Sequence, residues 1–187
     1  MAEYFSFCKS DQILLLQIAR SSIEYYLTFN KKPDKNFNKI TDYIKTESGV
    51  FVTLTKNGNL RGCIGNLTGE APLYKNVQDM AIASATNDYR FDKVELSEMK
   101  EIKIEISVLS PLKKLSDINE IVLGRHGILI KKGMQTGTFL PQVAVHTGWC
   151  LEEFLGHCAR DKVKIGWFGW KNAELFTYEA FVFNESV

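Results

Sequence analysis

The sequence predicts an α+β fold, an antiparallel β-sheet with flanking helices plus a smaller lobe. Helical and strand periodicities are mixed along the chain without a repeating βαβ order, which argues against a parallel sheet. Residues 101–109 alternate polar and apolar side chains, as an antiparallel strand with one solvated face does. The 187 residues, 45% of them hydrophobic, suit one domain, or one domain with a smaller lobe, around a substantial core.

The first predicted elements are a long helix and a polar connection. Ser10 and Asp11 are suitable caps for a helix that continues through Phe29, because apolar residues recur along one face of this segment at helical spacing. Residues 30–39 are rich in lysine and contain Pro33, so we expect an exposed connection there.

Residues 50–64 predict a β-hairpin with a two-residue turn. Two segments of strand periodicity flank the pair Asn57-Gly58. Both residues tolerate the positive φ angles that a type I′ turn requires. This turn would bring the two strands together as an antiparallel pair.

The turn also predicts a register for the hairpin. Counted outward from it, Leu54 lies opposite Arg61 and Val52 lies opposite Cys63. Successive side chains of a strand point to opposite faces, so Arg61 and Cys63 share one face. The arginine and the thiol would then be neighbours.

The rest of the chain continues the α+β pattern. Pro72 suits the first turn of a helix that runs to about Asp88. Pro111 ends the strand at residues 101–109. The remaining predictions are a strand at 127–131, a turn at 131–137, an extended piece at 138–145 interrupted by Pro141, a helix from a Thr147 cap through Cys158, and a closing strand at 174–183.

Composition excludes several classes of protein. The formal net charge is +1, which leaves no broad electrostatic footprint for nucleic acid or anionic lipid. No apolar run is long enough to cross a membrane, and we expect none to do so. The four cysteines form no C-x-x-C pair and no secretory signal is recognisable, so we expect free thiols in the cytoplasm.

The segment "LRGCIG", Leu60–Gly65, is the first candidate for chemistry. Gly62 and Gly65 flank Cys63, leave its surroundings open and expose backbone N–H groups to a ligand. A guanidinium at Arg61 would lower the pKa of the thiol and favour a nucleophilic thiolate. The alternative is structural: the glycines serve packing or a bulge, and the cysteine is a small buried apolar residue.

Two further groups of residues allow both a functional and a structural interpretation. Asp88 and Arg90 can clamp a polar ligand, or they can bond each other and fix a loop. His126 and His146 are candidate bases, although loop histidines are more often hydrogen-bonded surface groups. No spacing of the structural zinc type occurs, so we predict no metal site, and no motif identifies a cofactor.

The aromatic residues of the C-terminal third do not indicate nucleic acid. They could stack on bases, but few basic residues are interleaved with them. Core packing or a subunit interface therefore explains them better. They are Trp149, Trp167, Phe168 and Trp170.

The segment "GVFVTLTKNGNLRGCIG" resembles the signature hairpin of the AMMECR domain family, also called AmmeMemoRadiSam system protein A. The resemblance continues in family order through "PLYKNVQDMAIASATNDYRF", "EIKIEISVLSPL", "GRHGILI" and "LPQVAVHTGW". It implies one AMMECR-like domain over residues 1–187. It also implies signature segments gathered around a cleft, and two partners, a Memo-type protein and a radical S-adenosylmethionine protein.

The resemblance also implies which positions form the cleft. One position departs from the family pattern, because His146 stands where the family commonly has an acidic residue. A role that needs a carboxylate there does not carry over, and the histidine offers a second candidate base. The family pattern falls on Arg61, Gly62, Cys63, Gly65, Asp88, Arg90, Phe91, His126, Gly127, Pro141, Gln142 and Trp149.

Three functions remain open from the sequence. The first is a small-molecule enzyme in which Cys63 is the nucleophile, His126 or His146 is the base, and Arg61, Asp88 and Arg90 bind substrate with Gly62, Gly65 and Gln142. The second is a non-catalytic module that binds a small acidic ligand or a partner protein through the same cleft. The third, a nucleic-acid-associated factor, is disfavoured by the near-zero net charge.

Overall fold

The computed structural model describes residues 7–34 and 40–185 and confirms the α+β class with an antiparallel sheet and flanking helices. The chain divides into two compact units, residues 1–109 with 181–187, and residues 110–180. No described helix is both long and apolar enough to cross a membrane. The helices are α1 (Lys9–Phe29), α2 (Asp42–Lys45), α3 (Leu73–Thr86), α4 (Pro141–Thr147) and α5 (Leu151–His157), and the strands are β1 (Val50–Lys56), β2 (Asn59–Asn66), β3 (Ile102–Leu109), β4 (Lys113–Lys114), β5 (His126–Lys132), β6 (Gln135–Phe139) and β7 (Glu174–Asn184).

The first unit is a sheet covered by helices. Its strands lie in the order β2-β1-β3, each pair antiparallel, and α3 packs against β1, β2 and α1. The alternation predicted for residues 101–109 is confirmed as far as Ile106, since the three isoleucines of β3 are buried, but it is wrong at Ser107, which is also buried although the alternation places it on the solvated face. The fully buried members of this core include Leu15, Ile18, Ile23, Val50, Val52, Leu54, Leu73, Val77, Ile104 and Ile106.

The N-terminal helix begins slightly earlier than predicted. Its N-cap is Cys8, and the Asp11 carboxylate accepts a hydrogen bond from the Cys8 backbone N–H. The helix ends at Phe29, as predicted, with Asn30 in the left-handed conformation. The predicted exposed connection at 30–39 lies partly outside the described residues, and Asn30–Pro33 contains both exposed residues and a buried proline.

The predicted β-hairpin is present, but its register differs by one residue. Asn57 and Gly58 have φ angles of 53° and 78°, which confirms the predicted turn conformation. The pairing shifts between Leu54 and Thr55, so that Leu54 lies opposite Gly62 and Thr55 lies opposite Leu60. Arg61 is therefore the extra residue of a β-bulge, which counting outward from the turn cannot reveal.

The bulge changes the partner of Cys63. The residue lies opposite Thr53, and Ile64 lies opposite Val52, so the predicted pairing of Val52 with Cys63 is wrong. Thr53 is the middle residue of β1 and its side chain is half-buried. This brings a hydroxyl group next to the thiol.

The second unit has its own sheet and core. Strand β5 pairs with β6 and with β7, and the short β4 also pairs with β7, all antiparallel. The strands predicted at 127–131 and 174–183 are confirmed within a residue at either end. Its buried core consists of Ile121, Ile128, Ile130, Phe139, Ala144, Phe154, Leu155, Cys158, Ala159, Val163 and Trp170.

Between β5 and α5 the sequence predictions are partly wrong. The predicted turn at 131–137 is shorter, because β6 already begins at Gln135. The predicted extended piece at 138–145 ends where α4 begins, with Pro141 at the first helical position, which its fixed φ angle favours. Cys150, and not Thr147, is the N-cap of α5, which ends at His157 and continues as one π-helical segment over Cys158–Val163.

Candidate functional site

The "LRGCIG" strand is held against α3 by the lack of a side chain at Gly62. A Cβ atom at this position would collide with the backbone carbonyl oxygen of Ser84. The Ser84 hydroxyl accepts a hydrogen bond from the Ile64 N–H at 2.8 Å and donates one to the Val52 carbonyl oxygen at 2.7 Å. The glycine is therefore needed for the close approach of helix and strand.

Gly65 has a comparable packing role. A Cβ atom there would collide with the aromatic ring of Phe51, which lies opposite it in β1. The structure thus gives both glycines of the motif a packing function, which is the alternative that the sequence left open. A direct contact of Gly62 or Gly65 with a ligand stays a prediction.

The thiol of Cys63 is half-buried and hydrogen-bonded. Its sulfur lies 3.2 Å from the Thr53 hydroxyl oxygen. Burial raises the pKa of this thiol, and the Thr53 hydrogen bond and the charge of Arg90 oppose the rise only in part. A neutral thiol is therefore the favoured form at neutral pH.

Asp88 and Arg90 bond each other and together hold the backbone of Cys63. Arg90 donates from Nε to Asp88 Oδ1 at 2.9 Å and from Nη2 to Oδ2 at 2.6 Å. Asp88 Oδ2 also accepts the Cys63 N–H at 2.8 Å, and Arg90 Nη2 donates to the Cys63 carbonyl oxygen at 3.3 Å. Both polar groups of the cysteine backbone are thus bound by one ion pair.

This arrangement strongly favours the carboxylate form of Asp88. The side chain is buried, and Arg90, followed by the Cys63 N–H, lowers its pKa to about 2. A buried carboxylate with an arginine fork and a backbone donor is a fixed structural anion. It is unsuited to proton transfer near neutral pH.

Arg61 does not lie beside the sulfur in the way that the sequence suggested. Its guanidinium is bound by the Glu98 carboxylate, at 3.2 Å from Nε and 2.9 Å from Nη2, and it also donates to the carbonyl oxygens of Asp92 and Lys93. The Arg61 bonds, and then the Glu95 N–H, lower the pKa of Glu98 to about 2. The charges that act on the Cys63 thiol come from Arg90, Asp88 and Glu105.

A shallow depression of about 480 Å³ lies next to this ion-pair network. We call it the Arg90 depression; it is lined by Arg61, Tyr89, Arg90, Phe91 and Asp92. The Tyr89 side chain is 95% exposed, and the Arg90 guanidinium carbon lies 5.5 Å from the centre of the Phe91 ring. Within residues 7–34 and 40–185, Nη1 of Arg90 has no hydrogen-bond partner.

The remaining predicted site residues belong to the second unit. The ring of His126 is half-buried, and its Nδ1 accepts the Val122 N–H at 3.1 Å. Burial, and then the charge of Arg125, lower the pKa of His126, so the neutral imidazole is favoured. His146 is exposed in the last turn of α4, and Gln142 is half-buried in its first turn. Their assignment to one active centre with Cys63 stays a prediction.

The structure also identifies site residues that the sequence did not. Thr53 has no local signal, but the bulge in β2 places it opposite Cys63. Glu98 lies 37 residues after Arg61, and the pairing of distant charges cannot be deduced from one sequence. In the described part of the chain, no group of three or more His, Cys, Asp or Glu residues is arranged to hold a metal ion.

Comparisons with known proteins agree with the resemblance seen in the sequence. A family model described as AMMECR1 matches residues 16–183. The chain is 41% identical over 181 residues to Protein MK0488 of Methanopyrus kandleri, covering 91% of this chain and 86% of that protein. It is 40% identical over 153 residues to Protein PF1979 of Pyrococcus furiosus, covering 75% of this chain and 71% of that protein.

A solved structure shares the fold. It is described as the crystal structure of the uncharacterized protein PH0010 from Pyrococcus horikoshii, and it superimposes with a TM-score of 0.91 at 32% sequence identity. The match covers 97% of this chain and 95% of that chain. Neither the relatives nor this structure carries a name that states an activity.

Proposed function

The chain belongs to the AMMECR1 family, and on that premise we propose that it is a non-catalytic binding module that recognises an acidic group at the Arg90 depression. The acidic group belongs to a small ligand or to the surface of a partner protein. The single observation that carries the proposal is the geometry of Arg90, whose guanidinium is fixed by Asp88 and the Cys63 carbonyl while its Nη1 has no hydrogen-bond partner among the described residues.

The Arg90 guanidinium is suited to binding because it is already oriented. Asp88 and the Cys63 carbonyl occupy Nε and Nη2, so that the side chain loses little conformational entropy when a ligand binds. The two N–H groups of Nη1 remain as donors. A carboxylate or phosphate oxygen is the partner that such donors bind most strongly.

The aromatic residues of the depression supply the apolar part of the contact. Tyr89 is almost fully exposed and directly precedes Arg90, which is fixed by its ion pair with Asp88. Tyrosine and arginine are also the residue types that most often dominate binding energies at protein interfaces. The ligand therefore combines an acidic group with a flat or apolar surface that covers Tyr89.

The environment of Cys63 supports this proposal over the enzymatic one. A nucleophilic cysteine needs a lowered pKa and an accessible sulfur. Here burial raises the pKa of the thiol, and the Thr53 hydroxyl occupies one side of the sulfur. The cysteine is better explained as a small half-buried residue whose backbone, and not its sulfur, holds Asp88 and Arg90 in place.

The resemblance to the AmmeMemoRadiSam system supplies the first partners to test. We propose that a Memo-type protein or a radical S-adenosylmethionine protein presents the acidic group to the Arg90 depression. The four cysteines are free thiols, and we propose a cytoplasmic location on that basis.

The test is a direct binding measurement on purified proteins. Each proposed partner is titrated by calorimetry into the wild-type chain and into Tyr89→Ser, Arg90→Lys, Cys63→Ser and Tyr43→Ser variants. Tyr43 is the matched control, since it is 51% exposed but belongs to α2. A parallel arm incubates the same variants with a metabolite extract and identifies retained molecules by mass spectrometry.

We expect Tyr89→Ser and Arg90→Lys to weaken binding roughly tenfold or more, because each removes one of the two contacts. Lysine can keep a charge at position 90 but cannot reproduce the fork on Asp88 together with the outward donors. Cys63→Ser and Tyr43→Ser should bind as the wild type does. Equal binding by all five proteins, or a substrate consumed by the wild type but not by Cys63→Ser, would refute the proposal.

A further inference from the structure

A second cavity in the first unit is larger than the Arg90 depression and lies on α1. Its volume is about 600 Å³, within the range of about 300–1000 Å³ that is typical of small-molecule sites. One wall is the face of α1 that carries Lys9, Ile13, Leu16 and Arg20, and the opposite wall is formed by Ile102–Lys103 and Asn184–Glu185. We call this cavity the α1 groove.

Two of the residues that line the α1 groove, Arg20 and Glu185, belong to a closed polar network. The Arg20 guanidinium binds the Glu185 carboxylate with two hydrogen bonds of 2.6 Å and also donates to the carbonyl oxygens of Met99 and Ile102. Glu185 Oε2 accepts the Ile104 N–H at 2.9 Å. Because these groups satisfy one another, they form a rigid base and need no ligand of their own.

The residues that line the groove carry an excess of positive charge. The cavity is lined by three cationic side chains, Lys9, Arg20 and Lys103, against one carboxylate, Glu185. Arg20 and Glu185 neutralise each other, whereas Lys9 and Lys103 have no ion pair with any described residue. The two lysines are therefore the cations that remain available to an anionic ligand.

The groove also has an apolar part beside its polar lining residues. Ile13 is 46% exposed, although it lies on the same helix as the buried Leu16. Leu16 and Ile102 also line the groove but are already buried, so Ile13 supplies most of the apolar side-chain surface that a ligand would remove from water. Covering this surface favours the binding of a ligand that carries a hydrocarbon group.

We infer that the α1 groove is a binding site for a small amphipathic organic anion, with the acidic group at one of the two lysines, Lys9 or Lys103, and the hydrocarbon body over Ile13. The charge of the two lysines favours an anion, and the exposed Ile13 favours one that carries a hydrocarbon group. This site is separate from the Arg90 depression in its lining residues and does not depend on the function proposed there.

The probe for the test is octanoate, which has one carboxylate and a short hydrocarbon chain. It is titrated into the ¹⁵N-labelled full chain, and amide shifts are followed by NMR. Octan-1-ol, which lacks the charge, is titrated in parallel. We expect saturable octanoate shifts that cluster in the first half of α1 and at the start of β3, and weaker binding of the alcohol.

Variants separate specific binding from general charge effects. Lys9→Glu/Lys103→Glu should weaken octanoate at least fivefold, and Ile13→Ser should weaken it to a smaller extent. The matched control is Lys31→Glu/Lys75→Glu, since both lysines are exposed in the same unit but lie outside the groove. Circular dichroism and thermal unfolding confirm that each variant is folded.

Three results would overturn the inference. They are octanoate binding that does not saturate below the micelle concentration, shifts that cluster on another surface, and equal weakening of binding by the two double variants. An equal loss would mean that only net charge matters. The site is supported if octanoate binding is preserved in Lys31→Glu/Lys75→Glu and weakened in Lys9→Glu/Lys103→Glu.

Discussion

At Cys63, burial and local polar contacts act on the thiol in opposite directions, and burial is the stronger effect. The Thr53 hydroxyl and the Arg90 charge both favour the thiolate, yet the pKa of the thiol is still raised. Asp88 and Arg90 bind the backbone of this residue, since Asp88 accepts its N–H and Arg90 donates to its carbonyl oxygen. The sulfur is thereby left as a packing group.

The chemical consequence is an order of alkylation among the cysteines. We expect iodoacetamide at pH 7.5 to modify Cys8 and Cys150, which are exposed, well before Cys63. Cys158 should react last, because burial raises its pKa to about 12 and it has no solvent access. Peptide mass spectrometry over a time course gives the four rates. If Cys63 reacts fastest, the predicted order is wrong and the result favours the enzymatic hypothesis.

Asp88 should make stability depend on pH in the acid range. Its pKa is lowered from 3.8 to about 2 in the folded protein, so the carboxylate contributes stability above pH 4 and loses it as the pH falls towards 2. The shift corresponds to about 2 kcal/mol at neutral pH. Asp88→Asn should therefore lower the free energy of unfolding by about 2 kcal/mol at pH 7, and by much less near pH 2.5.

Urea unfolding of wild type and variant at several pH values measures this difference. The matched control is Asp42→Asn, because Asp42 is almost fully exposed in its side chain and should change stability by less than about 0.5 kcal/mol. A difference between wild type and Asp88→Asn that stays constant from pH 7 to 2.5 would show that the carboxylate is not the stabilising form.

At the scale of elements, the close contact between β2 and α3 at Gly62 and Ser84, which we call the seam, depends on Gly62. The Ser84 hydroxyl connects Ile64 of β2 to Val52 of β1, and this contact is possible only where helix and strand approach closely. The bulge at Arg61 turns that side chain onto Glu98. Strand β2 thus approaches α3 closely at Gly62 and is bound to the segment before β3 through Arg61.

Gly62→Ala should test this seam. The added methyl group meets the Ser84 backbone, which cannot move without shifting α3, so we expect a loss of about 2–3 kcal/mol in the free energy of unfolding. Gly58→Ala is the comparison, because no atom lies within 4 Å of its new Cβ atom but its φ angle is +78°. Strain alone should cost about 1–2 kcal/mol there.

Chemical denaturation of both variants gives the two losses. A smaller loss for Gly62→Ala than for Gly58→Ala would mean that α3 adjusts easily and that the seam is not tightly packed. Arg90-dependent binding should also fall in Gly62→Ala, because the strand that carries the Cys63 backbone contacts would move.

The same hairpin shows what the sequence can and cannot predict. The Asn57-Gly58 turn follows from local chemistry, since both residues accept positive φ angles, and the strands on either side follow from their periodicity. The register cannot be predicted from local chemistry, because the residues at the bulge are bound by partners distant in sequence. Arg61 is bound by Glu98, and the Ile64 N–H is bound by Ser84. The predicted neighbourhood of Arg61 and Cys63 failed for this reason.

A similar limit applies to α4. The sequence around Pro141 predicts an interrupted extended piece, although proline is equally suited to the first turn of a helix, where the structure has it. Local propensity does not distinguish the two, and burial of Ala144 in the second core decides for the helix. The mutual bonding of Asp88 and Arg90, in contrast, was one of two readings that the sequence itself allowed.

At the scale of the whole chain, the two compact units have separate hydrophobic cores. The first core includes Ile106 and the second includes Ile130, both with no exposed surface. Ile106 lies in β3, which pairs with β1 and packs against α1. Ile130 lies in β5, which pairs with β6 and β7. Each core should therefore protect mainly the backbone amides of its own unit from hydrogen exchange.

Ile106→Ala and Ile130→Ala form a matched pair for this prediction. Each removes the same atoms from a fully buried position, and each should cost about 2–5 kcal/mol. Native-state hydrogen exchange, read by mass spectrometry of peptides, should show faster exchange in β1 and β3 for the first variant and in β5 and β6 for the second. The reason is that local opening depends on the packing free energy of the nearest core, so that a cavity in one core lowers the opening free energy mainly there. Uniform acceleration throughout the chain in both variants would show instead that the two units open only together, as one cooperative structure.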